Sequence, residues 1–179
     1  MARLIVPKVP AFVRDLCRRE GISLRAFKTA EEFTREVISF LAANNILYLS
    51  TSKNDVPRCT PVGYFHAGMI VYVLSEGGGK FANLTANPNV SYAIASRIKG
   101  RMGILEVRGL QCWGKASVIS MRKEPDEFAA LMQDLGIFYR LQQRGDRLPP
   151  FHYRFIKIVP HKVRILNLRE GIYNVTWIK

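Results

Sequence analysis

The chain has 179 residues, 48% of them hydrophobic, and 27 Lys and Arg against 14 Asp and Glu give it a formal net charge of +13. That length and hydrophobic content predict one domain with a real core and exclude a disordered chain. The basic residues are scattered, with no long Lys/Arg run and no recognisable nucleic-acid motif, so the charge fits solubility or small anionic ligands and nucleic-acid binding ranks last.

Cys17, Cys59 and Cys112 are far apart and lack any C-x-x-C or Cys/His spacing, which argues against zinc or another metal. An odd, sparse cysteine count fits a reducing compartment. Arg3, Lys8 and Arg14 interrupt the apolar residues at the start, so no leader is expected. No stretch approaches the ~20 apolar residues of a membrane span. The expectation is a cytoplasmic protein without a membrane partner.

Residues 1–28 are expected to be an N-terminal helical extension, and 29–179 the main domain. Residues 1–8 read as a loose arm. Val9, Phe12, Val13, Leu16 and Cys17 then recur at helical spacing, and Gly21 suits the helix end. Thr29-Ala30-Glu31-Glu32 has the form of a capping box before a helix that buries Phe33, Val37, Phe40 and Leu41.

Ile46 to Ser52 predicts a strand, Lys53-Asn54-Asp55 a hairpin turn, and Val56 to His66 the returning strand with Arg58-Cys59-Thr60-Pro61-Val62. Arg58 sits mid-strand and calls for an anionic partner, phosphate before a structural carboxylate. Pro61 predicts a sheet edge or an interrupted ladder, with backbone groups left for a ligand. Cys59 reads as a small packed residue, since nothing nearby activates it as a nucleophile.

Met69 to Ser75 predicts a third strand. Glu76-Gly77-Gly78-Gly79-Lys80 then opens a short helix ended by Pro88, and Val90 to Ser96 is a further strand. A glycine turn at a helix start exposes N–H groups that favour an anion, and Lys80 adds one charge. A P-loop is excluded, because Leu74 stands where glycine is required and Phe81 where Ser/Thr should hold Mg²⁺.

The basic cluster Arg97-Ile98-Lys99-Gly100-Arg101 reads as a solvated loop first and an anion contact second. Ile104 to Ser120 predicts a long strand bent at Gly109 and Gly114. Gln111, Trp113 and Lys115 are placed on one face, and Leu110, Cys112, Ala116 and Val118 on the other. A helix follows near Pro125 with Phe128, Leu131, Met132 and Leu135 as its stripe. Gly136 to His152 reads as a basic break. Tyr153 to Val159 and Lys162 to Leu168 are strand halves bent at Pro160, and Tyr173 to Ile178 is a last strand or tail. His66, His152 and His161 form no triad with Ser and Asp, and no carboxylate pair stands out, so no catalytic residue can be named. His66 reads as a surface turn residue.

The order of these pieces resembles the pyridoxamine 5′-phosphate oxidase-like family, the FMN-binding split β-barrels. The resemblance lies in Arg58-Cys59-Thr60-Pro61-Val62, Val73-Leu74-Ser75, Lys80-Phe81-Ala82-Asn83-Leu84 and Asn87-Pro88-Asn89-Val90, and spans about Glu31 to Leu168. It implies a mainly β fold with flanking helices, a homodimer with two interfacial flavin sites, and FMN as cofactor. It implies FMN contacts from Arg58, Cys59, Thr60, Pro61, Val62, Val73, Leu74, Ser75, Lys80 and Asn83, with Gln111 as the nearest side-chain amide to the ring. The family's vitamin B6 oxidases carry an Arg-x-His signature. His161-Lys162-Val163-Arg164 reverses that order, which argues against pyridoxamine phosphate as the substrate. The reading is therefore an FMN-dependent oxidoreductase acting on a small molecule. Its rivals are a deazaflavin-dependent reductase and a non-enzymatic flavin- or haem-binding protein.

Overall fold

The long strand after residue 107 and its partner after residue 153 form the spine on which the other strands assemble. A computed structural model describes residues 2–96 and 103–179. The cluster at 97–101 lies outside the described residues. Among the described residues, nine strands form one antiparallel sheet curled into a split barrel: β1 (Arg3–Ile5), β2 (Ile46–Lys53), β3 (Val56–Gly63), β4 (Phe65–Ala67), β5 (Ile70–Ser75), β6 (Asn89–Ala95), β7 (Arg108–Ser120), β8 (Arg154–Asn167) and β9 (Ile172–Ile178). The order is β1-β9-β8-β7-β6-β2-β3, with β5 branching from β8 and pairing β4. Five α-helices among the described residues flank it: α1 (Ala11–Arg19), α2 (Ala30–Ala42), α3 (Lys80–Ala86), α4 (Pro125–Asp134) and α5 (Ile137–Arg144).

Pro160 is the hinge of β8. Before it, residues 154–158 pair with β5, and after it, 162–167 pair with β9, while β7 stays alongside throughout. A proline has no N–H to donate, so it fits where a strand exchanges partners. Opposite it the β7 register slips between Trp113 and Gly114. A Cβ on Gly114 would lie 2.6 Å from the Val159 carbonyl oxygen, so only glycine permits this close approach.

The barrel is filled by Leu47, Leu49, Val71, Val73, Ile94, Leu110, Ile156, Ile158 and Ile165, with Phe33, Val37 and Leu41 of α2 closing one end. Each such side chain contributes about 1.5–3 kcal/mol by burial. The expected helix is in place: Thr29 Oγ1 accepts from the Glu32 N–H at 3.2 Å, although Glu32 reaches the Lys28 N–H rather than that of Thr29. A second core lies outside the barrel, where α4 and α5 place Phe128, Met132 and Ile137 against Ile119 and Phe155.

Several details differ from the sequence reading. The expected loose arm is strand β1, which pairs with β9 at the sheet's end. Phe12 is exposed, because α1 turns only Val13 and Cys17 fully inward. Along β7 the predicted alternation holds through Ala116, but Ile119 is buried and Val118 is more than a third exposed, since α4 covers the opposite face there. Residues 137–144 form a helix within what reads as a basic break.

Candidate flavin site

The β2–β3 hairpin sets the positions of the candidate residues. Asn54 and Asp55 both have positive φ, the signature of a two-residue turn. The register that follows opposes Arg58 to Thr51, Thr60 to Leu49 and Val62 to Leu47. Side chains alternate along a strand, so Arg58, Thr60 and Val62 share the inner side with Leu47 and Leu49. Cys59 and Pro61 share the outer side with Tyr48. The predicted set is therefore divided between two faces.

On the inner side the parts converge. A Cβ on Gly79 would lie 3.1 Å from Arg58 Nη1, so the guanidinium rests over the glycine turn. Lys80 is only 8% exposed and donates from Nζ to the Gly77 carbonyl. Ser75, also buried, donates to the same oxygen at 3.3 Å. Asn83 donates to Thr51 Oγ1 at 3.0 Å, tying α3 to β2. Thr51 is a residue that sequence reasoning did not single out.

A third cation was also missed. Arg154, the first residue of β8, is paired with both Ser75 and Ser120 in the sheet. Its guanidinium lies 4.1 Å from the centre of the Phe81 ring, and its buried Nε has no hydrogen-bond partner among the described residues. None of Arg58, Lys80 and Arg154 forms an ion pair among the described residues. Burial, and then the charges of Arg58 and Arg154, hold the Lys80 pKa below its ordinary value, with Glu76 acting in the opposite sense. Three cations without an ion-pair partner among the described residues, together with the buried Arg154 Nε, form a donor set of the kind a phosphate monoester takes. The attraction rests on these side chains rather than on a helix dipole, because α3 has only seven residues.

The remaining expected residues are spread over both faces of the sheet. Cys59 is exposed, not packed, since β3 is the last strand of its path and no described residue covers its outer face. Arg58, on the inner side of the same edge strand, is also exposed and finds its neighbours across the turn at Gly79. Val73 is fully buried in the barrel, so only its backbone can face a ligand, and Leu74 points to the opposite side, toward the second core. Gln111 lies on the outer face, where Arg164 donates to its Oε1 from Nε at 2.9 Å and also from Nη2. Lys162 Nζ stands 4.5 Å from the Trp113 ring centre beside it. Within one chain Gln111 and Lys80 are on opposite sides of the sheet. Pro61 matches expectation, because β3 is an edge strand.

His66 stays close to the turn, with Nδ1 3.2 Å from the Gly68 carbonyl oxygen. Among the described residues no group of His, Cys, Asp and Glu could hold a metal ion, and no helix is long and apolar enough to cross a membrane.

Residues 33–167 match the family model described as pyridoxamine 5′-phosphate oxidase. Among solved structures the chain is similar to a putative pyridoxamine 5′-phosphate oxidase from Listeria innocua, with 22% identity, a TM-score of 0.57, and 75% of this chain and 98% of that one covered. It is also similar to a FAD-binding protein from Mesorhizobium loti, at 21% identity and TM-score 0.52, covering 80% and 91%. A haem-binding protein from Mycobacterium smegmatis matches at 20% identity and TM-score 0.57, covering 83% of this chain and 57% of that chain. No curated protein matches the sequence.

Proposed function

Because the chain belongs to the pyridoxamine 5′-phosphate oxidase family, we propose that it binds FMN and works as a flavin-dependent oxidoreductase on a small-molecule substrate. The observation that carries this reading is the convergence of Arg58, Lys80 and Arg154 around the Gly77–Gly79 turn, without a carboxylate partner among the described residues. These cations would hold the cofactor's phosphate, and Asn83 with Thr51 would fix α3 against β2 beneath it. When bound, the flavin supplies the electron and hydride transfer chemistry, while the protein supplies binding, orientation and electrostatics.

The divided site residues support a homodimer that shares its sites. Cys59, Pro61 and Gln111 face away from Lys80 in their own chain, so they can meet a flavin only across a subunit interface. The outer face that carries them also exposes Ile46 and Tyr48, as an interface would.

Titration of the flavin-free protein tests the reading. FMN is expected to bind and riboflavin to bind far more weakly, because the phosphate grip supplies the difference. Absence of FMN binding, or equal affinity for the two flavins, overturns it. A deazaflavin or haem found in the purified protein by its absorption spectrum would replace FMN in the proposal.

A further inference from the structure

Between α5 and the strands β4 and β5 lies a cavity of about 450 Å³. Phe65, Leu74, Ile137 and Leu141 give it apolar walls, and Arg140 and Arg144 stand at its solvent edge. The sequence explains the arrangement. On α5, residues three and four apart share a face, so Ile137 and Leu141 turn toward the sheet with Arg140 and Arg144 beside them. Neither arginine forms an ion pair among the described residues. Arg140 donates from Nη2 to the Leu135 carbonyl at 3.0 Å and lies 5.2 Å from the Phe65 ring centre, which fixes its direction. Asp146 is the one carboxylate in the lining, so the edge keeps a net positive charge.

The cavity adjoins the proposed flavin site. Its lining includes Gly63, directly after Val62, and Leu74, directly before Ser75. From Arg58 to Gly63 the strand advances five residues, about 17 Å at ~3.4 Å each. That is comparable to the length of an extended FMN. A flavin of that length held by its phosphate at Arg58 reaches the Gly63 end of β3, and the cavity opens there on the outer face, the one that carries Cys59 and Pro61.

We propose that the cavity binds an organic anion with an apolar body, an aromatic or aliphatic carboxylate or sulfonate, and that it is the substrate pocket of the flavin site. Apolar walls give such a body its driving force, and a guanidinium edge selects the charged end. A sugar would leave its hydroxyls unpaired against those walls, and a cation would meet the arginines. The assignment as substrate pocket rests on the flavin reading; the binding of the anion does not.

The experiment uses the full chain without flavin and two fluorescent probes, anionic anilinonaphthalene sulfonate and neutral N-phenylnaphthylamine. The expected result is saturable binding of the anionic probe at one site per chain. Arg144→Gln is expected to weaken it about 10-fold, the effect of losing one charge-assisted contact, and to leave the neutral probe unaffected. Leu141→Trp, which fills the cavity, is expected to displace both. Arg140 is left intact because it also secures the end of α4. Binding of the anionic probe that survives both substitutions, or no saturable binding, overturns the inference. FMN titrated into the same variants separates the two readings. Retained FMN affinity with no probe site sinks the pocket alone. A probe site without any FMN binding sinks the flavin reading and the substrate role, and leaves an anion site.

Discussion

Arg154 shows what a sequence hides at the level of single residues. Arg58 stood out because it interrupts an apolar pattern, and Lys80 because it follows three glycines. Arg154 alternates with apolar residues as any strand arginine does, and only the sheet register brings it beside Ser75. Replacing Lys80 by Ala, or Arg154 by Gln, is expected to weaken FMN roughly 10–150-fold, the range for one charge-assisted contact of about 1.5–3 kcal/mol. Riboflavin affinity should change far less; equal losses for both flavins would show that the residue shapes the fold instead. The lowered pKa of Lys80 has a second consequence. Between its folded pKa and the ordinary lysine value, the unfolded chain holds the extra proton, so flavin-free stability rises with pH across that window. Below it, the charged lysine costs stability. Lys80→Met should therefore raise the thermal midpoint of the flavin-free protein at neutral pH while it impairs FMN binding. A lower midpoint would mean that Nζ and the Gly77 carbonyl hold the turn together.

At the level of elements, local patterns foretold what local chemistry controls. The capping residue Thr29, the turn at Asn54-Asp55 and the hinge at Pro160 all fall where sequence places them, because each depends on its own backbone preferences. Strand β1 and helix α5 were not legible for the opposite reason. Arg3-Leu4-Ile5 is too short to announce a strand and becomes one only by pairing with β9. Helix α5 buries only Ile137 fully, so its apolar period is faint amid basic residues. Tertiary contact also governs Gly171. Its φ is +72°, and a Cβ there would collide with the Ser23 carbonyl oxygen. Gly171→Ala should cost at least about 2 kcal/mol in urea unfolding; a smaller loss would mean that the 23–25 segment shifts freely. Tyr64 offers a pH signature between β3 and β4. Its hydroxyl donates to the Leu41 carbonyl at 2.7 Å, and burial pushes its pKa up to about 12. A raised folded pKa contributes stability below the unfolded value near 10 that is lost as pH climbs toward 12. Tyr64→Phe should flatten this part of the alkaline stability profile, and an unchanged slope would exclude Tyr64 as its source.

For the whole molecule, the split barrel was legible from the order of strands, glycine turn and helix, whereas the division of the candidate residues between two sheet faces was not. That division follows from register, which a sequence does not display. Trp113→Glu, on the outer face, is expected to produce a monomer in sedimentation and to weaken FMN together with association. Lys80→Ala should weaken FMN and leave the dimer intact. A Trp113→Glu monomer with undiminished FMN affinity would rule out shared sites. Substrate choice is also argued at this scale. His161-Lys162-Val163-Arg164 reverses the Arg-x-His order, and Arg164 is engaged with Gln111. No meaningful formation of pyridoxal 5′-phosphate from pyridoxamine 5′-phosphate is expected under air; turnover matching a true oxidase would restore the vitamin B6 substrate.

The two prolines of β3 bear on how the open edge of the sheet meets another chain. The two-residue turn makes Lys53 and Val56 the first hydrogen-bonded pair, so bonded pairs recur at Thr51/Arg58, Leu49/Thr60 and Leu47/Val62. Pro57 and Pro61 fall between them, where an N–H would point away from β2 into the open edge. That edge keeps outward donors only at Cys59 and Gly63, so a stray strand finds alternate rungs missing. Unlimited edge-to-edge stacking of barrels is thereby discouraged. The double substitution Pro57→Thr, Pro61→Val should keep the hairpin register yet scatter light and stain with thioflavin at concentrations where the parent solution stays clear. A double variant that stays equally clear would assign that protection to the surrounding charge instead.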